Sequence, residues 1–287
     1  MSELPGKTSY HLTVSRPGGD WSVSLRPDER MVVASAIKTF ILAKALKDVE
    51  AGRLDENAQA AVDDGVRSLS SPVFLKLTGT APVRSALEAM IAHSDNTGTD
   101  IALKLVGPER VRSFIASAGL ESVLIPTSTR RLFSYLAGAP YGVDEGWDGM
   151  LRIEAGETFG KQRSPLNERE TMQGTARDFV TYYRRVLKGG FFRDDATLVE
   201  FKRISAMADA LPYVVPPDTP AYGKGGSIEW GDFRCFSLAG QMILAGTTPV
   251  TFCFAVNWDA PPEAGAVQQK FIEVISAALA ATAKVFG

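Results

Sequence analysis

Strand-like sequence lies at both ends of this chain and a long helical block lies between them. An alternating hairpin occupies residues 9–25, and the helical block begins at Ser35 and runs to about Leu120. Strand signals return late, at Tyr222, 234–238, 241–245 and 250–256, before a terminal helix over about 262–285. A single sheet built from both ends must carry a helical insertion, which predicts an α+β fold.

The chain is long enough for one large core or two interlocked subdomains, with 287 residues of which 45% are hydrophobic. We predict an α/β subdomain from residues 1–34 and 205–287, and a helical subdomain from residues 35–204. Region 121–170 is rich in Gly, Pro and aromatic residues and lacks strong periodicity. We interpret it as an enlarged loop that helps to roof a cleft; the alternative is a surface insertion without a catalytic role.

Ser35-Ala36-Ile37-Lys38 stands at the start of the first predicted helix. Residues three apart share a helix face, so the Lys38 amine can lie beside the Ser35 hydroxyl. A serine hydroxyl needs an adjacent base to become a nucleophile, and a lysine with a lowered pKa can be that base. Backbone N–H groups at the helix N-terminus favour an oxyanion near Ser35. An N-cap serine and a solvated lysine are the alternatives.

Two further motifs follow in order: Ser94-Asp95-Asn96 after a helical segment, and Lys224-Gly225-Gly226 before the late strands. Together with the first motif they approximate S-x-x-K, S-D-N and K-T-G, with one substitution in the third. The chain therefore resembles the β-lactamase and penicillin-binding protein superfamily, and is most similar to its class A branch.

The resemblance runs from Tyr10 to Phe286 and includes other segments that match class A enzymes. It implies a three-layer α/β/α sandwich, with an antiparallel sheet flanked by terminal helices and an all-helical subdomain. The matching segments are Arg26–Met31, Asn96–Asp100, the pair Leu166-Asn167 at the end of the family's Ω-loop, and Thr175–Phe179 in the helix after it.

The resemblance also implies roles for the polar residues of the three motifs. Ser35 would be the acylating nucleophile and Lys38 its general base. Ser94 would pass a proton to the leaving group, Asn96 would bind the substrate carbonyl and hold Lys38, and Lys224 would supply positive charge. Asp95 is expected to be structural and to bond backbone N–H groups in its turn.

Further residues are implied in substrate binding. The oxyanion hole would be the backbone N–H groups of Ser35 and Ser227. Gly225 and Gly226 would let the backbone approach the substrate closely. Arg234 lies near the place of a carboxylate-binding arginine in class A enzymes; the alternative is a solvated strand arginine.

Two departures from the class A pattern concern turnover and substrate. Arg163 stands where the family has the glutamate that activates the deacylating water, and Gly225 replaces a hydroxyl residue that helps to bind a substrate carboxylate. Arg163 stays protonated and cannot be a base. We favour Lys38 as the activator of water, with Asn167 helping to hold it. The alternatives are slow turnover or a substitute base from among Glu157, Glu168 and Glu170.

The leading hypothesis is a serine hydrolase that cleaves a small cyclic amide (lactam) or ester through an acyl-enzyme on Ser35. The first alternative is a true β-lactamase or D-alanyl-D-alanine carboxypeptidase. The second is a covalent sensor or ligand-binding module that does not turn over. No cofactor or metal is expected for any of them.

Charge, hydropathy and cysteine content suggest the surroundings of the protein. The net charge is −2 without long charge runs, so nucleic acid and anionic membranes are not expected partners, and the oligomeric state stays open. The first residues lack a signal-peptide pattern and no apolar run could span a bilayer, so we expect a cytoplasmic protein with a small-molecule substrate. Cys235 and Cys253 are expected to be buried; a disulfide stays open.

Overall fold

The computed structural model describes all 287 residues. The strands are β1 (Lys7–Val14), β2 (Trp21–Leu25), β3 (Met31–Val32), β4 (Gln59–Val62), β5 (Gly79–Pro82), β6 (Gln173–Gly174), β7 (Ala221–Trp230), β8 (Phe233–Leu244) and β9 (Thr248–Asp259). The helices are α1 (Lys38–Glu50), α2 (Val83–Ala92), α3 (Asn96–Val106), α4 (Pro108–Ser117), α5 (Thr129–Leu136), α6 (Gly146–Glu154), α7 (Ala176–Val186), α8 (Asp195–Ser205) and α9 (Ala264–Phe286). Short 3-10 helices lie at Ala34–Ile37 and Leu211–Tyr213.

Five strands form one antiparallel sheet in the order β2-β1-β9-β8-β7. The N-terminal hairpin therefore pairs with the last strand, as the distribution of strand signals predicts. Strand β7, which carries Lys224, forms one edge of this sheet. Its partner β8 places Leu238 opposite Gly225 and Phe236 opposite Ser227.

Helices cover both faces of the sheet, which confirms the α+β class and its three layers. On one face α9 packs against β8 and buries Val267, Phe271, Ile275 and Leu279. On the other face α7 packs against β1, β8 and β9. The structure has one terminal helix rather than two, because the residues near the N-terminus form the internal strand β1.

Helix α1 lies at the centre of the helical layer and contacts α2, α3, α4 and α8. Its Phe40 ring packs against Phe179 and Tyr182 of α7. The Tyr182 hydroxyl donates a hydrogen bond to the backbone oxygen of Thr39, at 2.9 Å. Burial of these rings fixes the start of α1 against the sheet.

Region 121–170 is more regular than the sequence predicts, because it contains α5 and α6. Ser128 caps α5 by accepting a hydrogen bond from Arg131 N. Helix α8 was not predicted, and the two strands expected at 234–238 and 241–245 form the single strand β8. The division into subdomains stays a prediction; α7, which we assigned to the helical one, packs on the sheet.

Both cysteines are buried and free, which confirms them as small core residues and leaves no disulfide. None of the helices combines the length and the apolar character that crossing a membrane would require.

Candidate active site

The segment before Ser35 is bound to the sheet by side chains of the C-terminal strands. Val32 N donates to Asn257 Oδ1 and Asn257 Nδ2 donates to Val32 O, both at 2.9 Å. The Ser237 hydroxyl donates to Val33 O at 2.6 Å. Strands β8 and β9 therefore hold the backbone that leads into Ser35.

Ser35 lies in the 3-10 turn, next to the edge strand β7. The preceding residue, Ala34, has a φ of 45°, a left-handed conformation that non-glycine residues rarely adopt. A Cβ on Gly226 would lie 2.7 Å from Ser35 N and 2.3 Å from Val33 O. Only glycine permits this contact, which brings the β7 backbone at Gly226, the residue before Ser227, beside the backbone N–H of Ser35.

Lys38 is fully buried at the start of α1, and its amine points towards the turn before α3. Nζ donates to Ser94 O at 2.6 Å and to Asn96 Oδ1 at 2.8 Å, and lies 3.3 Å from Ser94 Oγ. The sequence predicts a direct contact with Ser35, but no hydrogen bond joins the two side chains in this structure. Lys38 is instead held by Ser94 and Asn96.

Burial and a second amine lower the pKa of Lys38. Its removal from water disfavours the charged form and is the main reason why the pKa lies well below its usual value. The charge of Lys224 adds to this effect, while Asp95, Asp100 and Asp209 oppose it. Burial also lowers the pKa of Lys224, to about 8.

Ser94 occupies the turn before α3 with a φ of 56°. Asp95 holds this turn, because its carboxylate accepts hydrogen bonds from the backbone N–H groups of Gly98, Val73 and Phe74. Its predicted structural role is thus confirmed. Asn96 Nδ2 donates to Leu69 O, so its Oδ1 faces Lys38.

Two adjoining cavities lie along β7 and share Ser94 and Ser227. The serine cavity, of about 460 Å³, is also lined by Ser35 and Asn96. The strand cavity, of about 340 Å³, lies on the other side of Ser94 and is lined by Lys224 and the two glycines that follow it. The structure therefore gathers the residues of all three motifs around one cleft.

Asn167 and Arg234 are not brought into this cleft, since neither lines a cavity beside Ser35. The Asn167 amide donates to Ser164 O and Glu170 O, which uses it to close its own loop. Arg234 lies 3.0 Å from Glu229 and donates to the backbone oxygen of Phe233. Both side chains are engaged with the protein itself.

Arg163, at the position of the family's glutamate, also points away from the cleft. Its guanidinium lies 4.2 Å from the centre of the Tyr135 ring and donates to Ala139 O. This contact fastens the loop to the end of α5. It gives Arg163 a structural role and leaves no charged group from this position near Ser35.

The three glutamates considered as substitute bases have partners elsewhere. Glu170 is buried and accepts from Thr127 N at 2.8 Å. Glu157 and Glu168 pair with Arg152 and Arg30. The carboxylate that does line the serine cavity is that of Glu229, next to Arg234.

Several residues of the cleft were not identified from the sequence. They lie on helices, strands and connecting segments that carry none of the three motifs. Thr129 and Phe133 of α5 line the serine cavity. Asp209 and Ala210, in the segment after α8, line the strand cavity together with apolar residues of β8 and α9. Phe236 and Leu238 lie on the same face of β8. With the register between β7 and β8 known, this alternation would have placed both side chains at the cavity.

A family model described as the beta-lactamase enzyme family matches residues 3–281. The chain belongs to this family. The predicted resemblance is thereby confirmed over nearly the whole sequence.

Curated relatives in the family match over shorter stretches. The extended-spectrum beta-lactamase PER-1 of Pseudomonas aeruginosa is 26% identical over 125 residues, which cover 42% of this chain and 41% of PER-1. The beta-lactamase SME-1 of Serratia marcescens is 31% identical over 97 residues, which cover 33% of each chain. The chain thus spans less than half the length of these relatives.

Solved structures of the beta-lactamase fold superimpose on almost the entire chain. A beta-lactamase from Chitinophaga pinensis aligns with a TM-score of 0.76 and 16% identity, covering 100% of this chain and 96% of its own. The chromosome-encoded beta-lactamase of Vibrio parahaemolyticus aligns with a TM-score of 0.74 and 19% identity, covering 96% and 94%. PBP-A has a TM-score of 0.74 and 16% identity, covering 99% and 92%. At these identities the likeness shows the fold.

Proposed function

We propose that this member of the beta-lactamase family is a serine hydrolase that cleaves a small cyclic amide or an ester through an acyl-enzyme on Ser35. The observation that carries the proposal is the buried amine of Lys38, with its lowered pKa, held by Ser94 and Asn96 at a cavity that Ser35 lines. A lysine whose pKa lies well below its usual range can be neutral and take a proton from a hydroxyl.

Acylation would use the lone pair of neutral Lys38. A neutral amine has two N–H donors, and the acceptors Ser94 O and Asn96 Oδ1 engage both. The lone pair then remains for a hydroxyl proton. Ser35 Oγ would bond to the substrate carbonyl carbon while the backbone N–H groups of Ser35 and Ser227 bind the oxyanion. The proton would pass through Lys38 and Ser94 to the departing oxygen or nitrogen as its bond to carbon breaks.

Deacylation would depend on Lys38 as well. The segment between α4 and α7 offers no carboxylate to the serine cavity, the Glu229 carboxylate there pairs with Arg234, and the Asn167 amide bonds within its own loop. Lys38 would take a proton from water, the hydroxide would attack the acyl carbon, and Ser35 Oγ would leave with the proton. This single-base scheme predicts slower turnover than a scheme with a second base.

Replacing the nucleophile tests the proposal directly. Ser35→Ala should lower kcat by at least about 10³-fold for any ester or amide that the protein hydrolyses, because no acyl-enzyme can form. Intact-protein mass spectrometry after incubation with ester, lactam and β-lactam panels should show an acyl adduct on the parent protein alone. Ser113→Ala is the matched control, since this exposed serine on α4 makes no side-chain hydrogen bond. An adduct that persists in Ser35→Ala would refute the proposal.

Hydrolysis of β-lactams is the second candidate, favoured by the names of the relatives. Nitrocefin turnover that is lost in Ser35→Ala would support it. A third outcome, a stoichiometric adduct without steady-state turnover, would identify a covalent sensor. That candidate is favoured by the absence from the serine cavity of a glutamate at the position of Arg163.

A further inference from the structure

The strand cavity has an apolar wall directly beside the cleft. Leu238 and Phe236 contribute from β8, where the register places them opposite Gly225 and Ser227. Phe271 and Ile272 contribute from α9, and Val214 from the segment after α8. These five residues are called the apolar wall below. They face a volume of about 340 Å³, which suits an alkyl or aryl group rather than a single water molecule.

The charges around this cavity do not favour an anion. Lys224 and Asp209 both line it, so their charges offset each other, and Gln268 adds a neutral amide. The Lys224 amine donates to Gly225 O at 2.7 Å, and only 1% of this residue is exposed. No arginine lines the cavity, since Arg234 is held at Glu229.

The packing at Gly225 excludes a side-chain hydroxyl from the same place. A Cβ on Gly225 would lie 2.8 Å from the Cβ of Ala210, closer than two such atoms can approach. Ala210 therefore occupies the room that a serine or threonine at 225 would need. Compared with class A enzymes, the cavity therefore has no hydroxyl donor at position 225 and has the apolar methyl group of Ala210 in its place.

The direction of proton transfer indicates which part of a substrate enters this cavity. Ser94 lines both cavities, and in the proposed mechanism it delivers the proton to the leaving group. The leaving group then points from Ser35 past Ser94 towards the apolar wall. The acyl group remains in the serine cavity, where four of the 13 lining residues are hydrophobic.

We infer that the strand cavity is a leaving-group site for an uncharged, apolar alkyl or aryl group, and that the substrate carries no carboxylate there. The inference rests on the proposed hydrolase function. For an ester, Ser35 Oγ bonds to the acyl carbon, the bond from that carbon to the leaving oxygen breaks, and the alcohol or phenol departs with the Ser35 proton. Water then releases the acid and restores Ser35.

A series of acetate esters tests the inference; the alkyl-substituted leaving groups are of similar basicity, and the carboxylate-bearing one is somewhat less basic. The probes are phenyl acetates with para methyl, ethyl, propyl or butyl groups, and 4-carboxyphenyl acetate. Each methylene that enters the cavity should raise kcat/KM by up to about fourfold, until the volume is filled. The carboxylate should lower kcat/KM by at least about tenfold relative to 4-methylphenyl acetate, because the charge of Lys224 in this cavity is already offset by Asp209.

Ile272→Arg should reverse this preference. Ile272 is half-buried at the rim of the cavity on a helix, so arginine can be accommodated there. A new hydrogen bond to the carboxylate should raise the ratio of carboxyphenyl to methylphenyl kcat/KM by about tenfold or more. Ile272→Met keeps the wall apolar and should keep the parent ratio.

Val285→Arg is the matched control for added charge. It lies on the same helix, 71% exposed and about 20 Å from Ile272 along the axis, and should leave the ratio unchanged. The inference would be overturned by rates that do not change along the alkyl series, or by a parent enzyme that prefers the carboxylate. In either case, turnover that depends on Ser35 would still support the hydrolase proposal. If none of the esters acylates Ser35, the inference fails, and the proposed function fails with it only when the lactam and β-lactam panels also leave Ser35 unmodified.

Discussion

Lys38 and Lys224 are two buried amines close to Ser94: Lys38 donates hydrogen bonds to Ser94, and Lys224 lines the strand cavity together with it. Burial lowers the pKa of each, and the charge of Lys224 lowers that of Lys38 further. The proposed mechanism needs Lys38 neutral, and the positive charge that the family resemblance implies for Lys224 needs that amine protonated. Because both conditions depend on pH, these two residues should determine the range in which the protein is active.

The pH profile of kcat/KM should therefore have two limbs. Activity should rise with pH as Lys38 loses its proton, below the usual range for lysine, and fall as pH passes about 8, where Lys224 loses its charge. Lys224→Arg should abolish the fall, because a guanidinium stays protonated throughout. The measurement is kcat/KM from pH 5 to 10 for both proteins. An unchanged alkaline limb in Lys224→Arg would exclude Lys224 as its origin.

The sequence predicts the local residues of the cleft better than the distant ones. Ser35 and Lys38 share a turn, and Ser94, Asp95 and Asn96 share another, so short-range geometry places them. Whether Arg234 reaches the cleft depends on the pairing of β8 with β7 and on its contact with Glu229. Neither depends on local sequence alone.

At the scale of elements, the position of Ser35 depends on Val32–Val33, which β8 and β9 hold through side chains. Asn257 is the main contact, since it both accepts from and donates to Val32. It touches no substrate in the proposed mechanism and is a positioning residue. No sequence pattern identifies this role, because an asparagine is equally common in turns and on solvated faces.

Asn257→Ala should reduce both stability and turnover. The buried N–H of Val32 would lose its partner and Val32 O would keep only the Cys235 thiol, at a cost of about 2–4 kcal/mol in the free energy of unfolding. Because the turn at Ser35 would also loosen, kcat should fall by about tenfold or more while KM changes little. Denaturant unfolding and steady-state kinetics measure the two effects. A stability loss with unchanged kcat would contradict the positioning role.

At the scale of the whole molecule, α9 links the stability of the core with the candidate leaving-group site. One part of this helix supplies Phe271 and Ile272 to the apolar wall, whereas Leu279 is fully buried two turns further along. Its apolar periodicity and the strand signals predict the α+β class, whereas the three layers follow from the family resemblance. The missing second terminal helix could have been foreseen from the hairpin at 9–25, which uses the N-terminal residues as strands.

Leu279→Ala should separate stability from function. Removal of this buried side chain should lower the free energy of unfolding by about 2–5 kcal/mol. At a temperature where the variant stays folded, its kcat/KM for the methylphenyl ester should match that of the parent. Thermal melting and ester assays provide the test. Leu279→Ala and Asn257→Ala should lose similar amounts of stability. If only Asn257→Ala loses activity, the loss comes from displacement of Ser35 and not from lower stability as such.

The binding of Val32 by Asn257 bears on the order in which the chain acquires reactivity. The two residues are far apart in sequence, and contacts of such separation form late in folding. During synthesis the nucleophile leaves the ribosome well before the strands that hold it. A nascent chain would therefore lack a positioned nucleophile until residue 257 has emerged, and a truncated product that ends earlier would react with its substrate much more slowly.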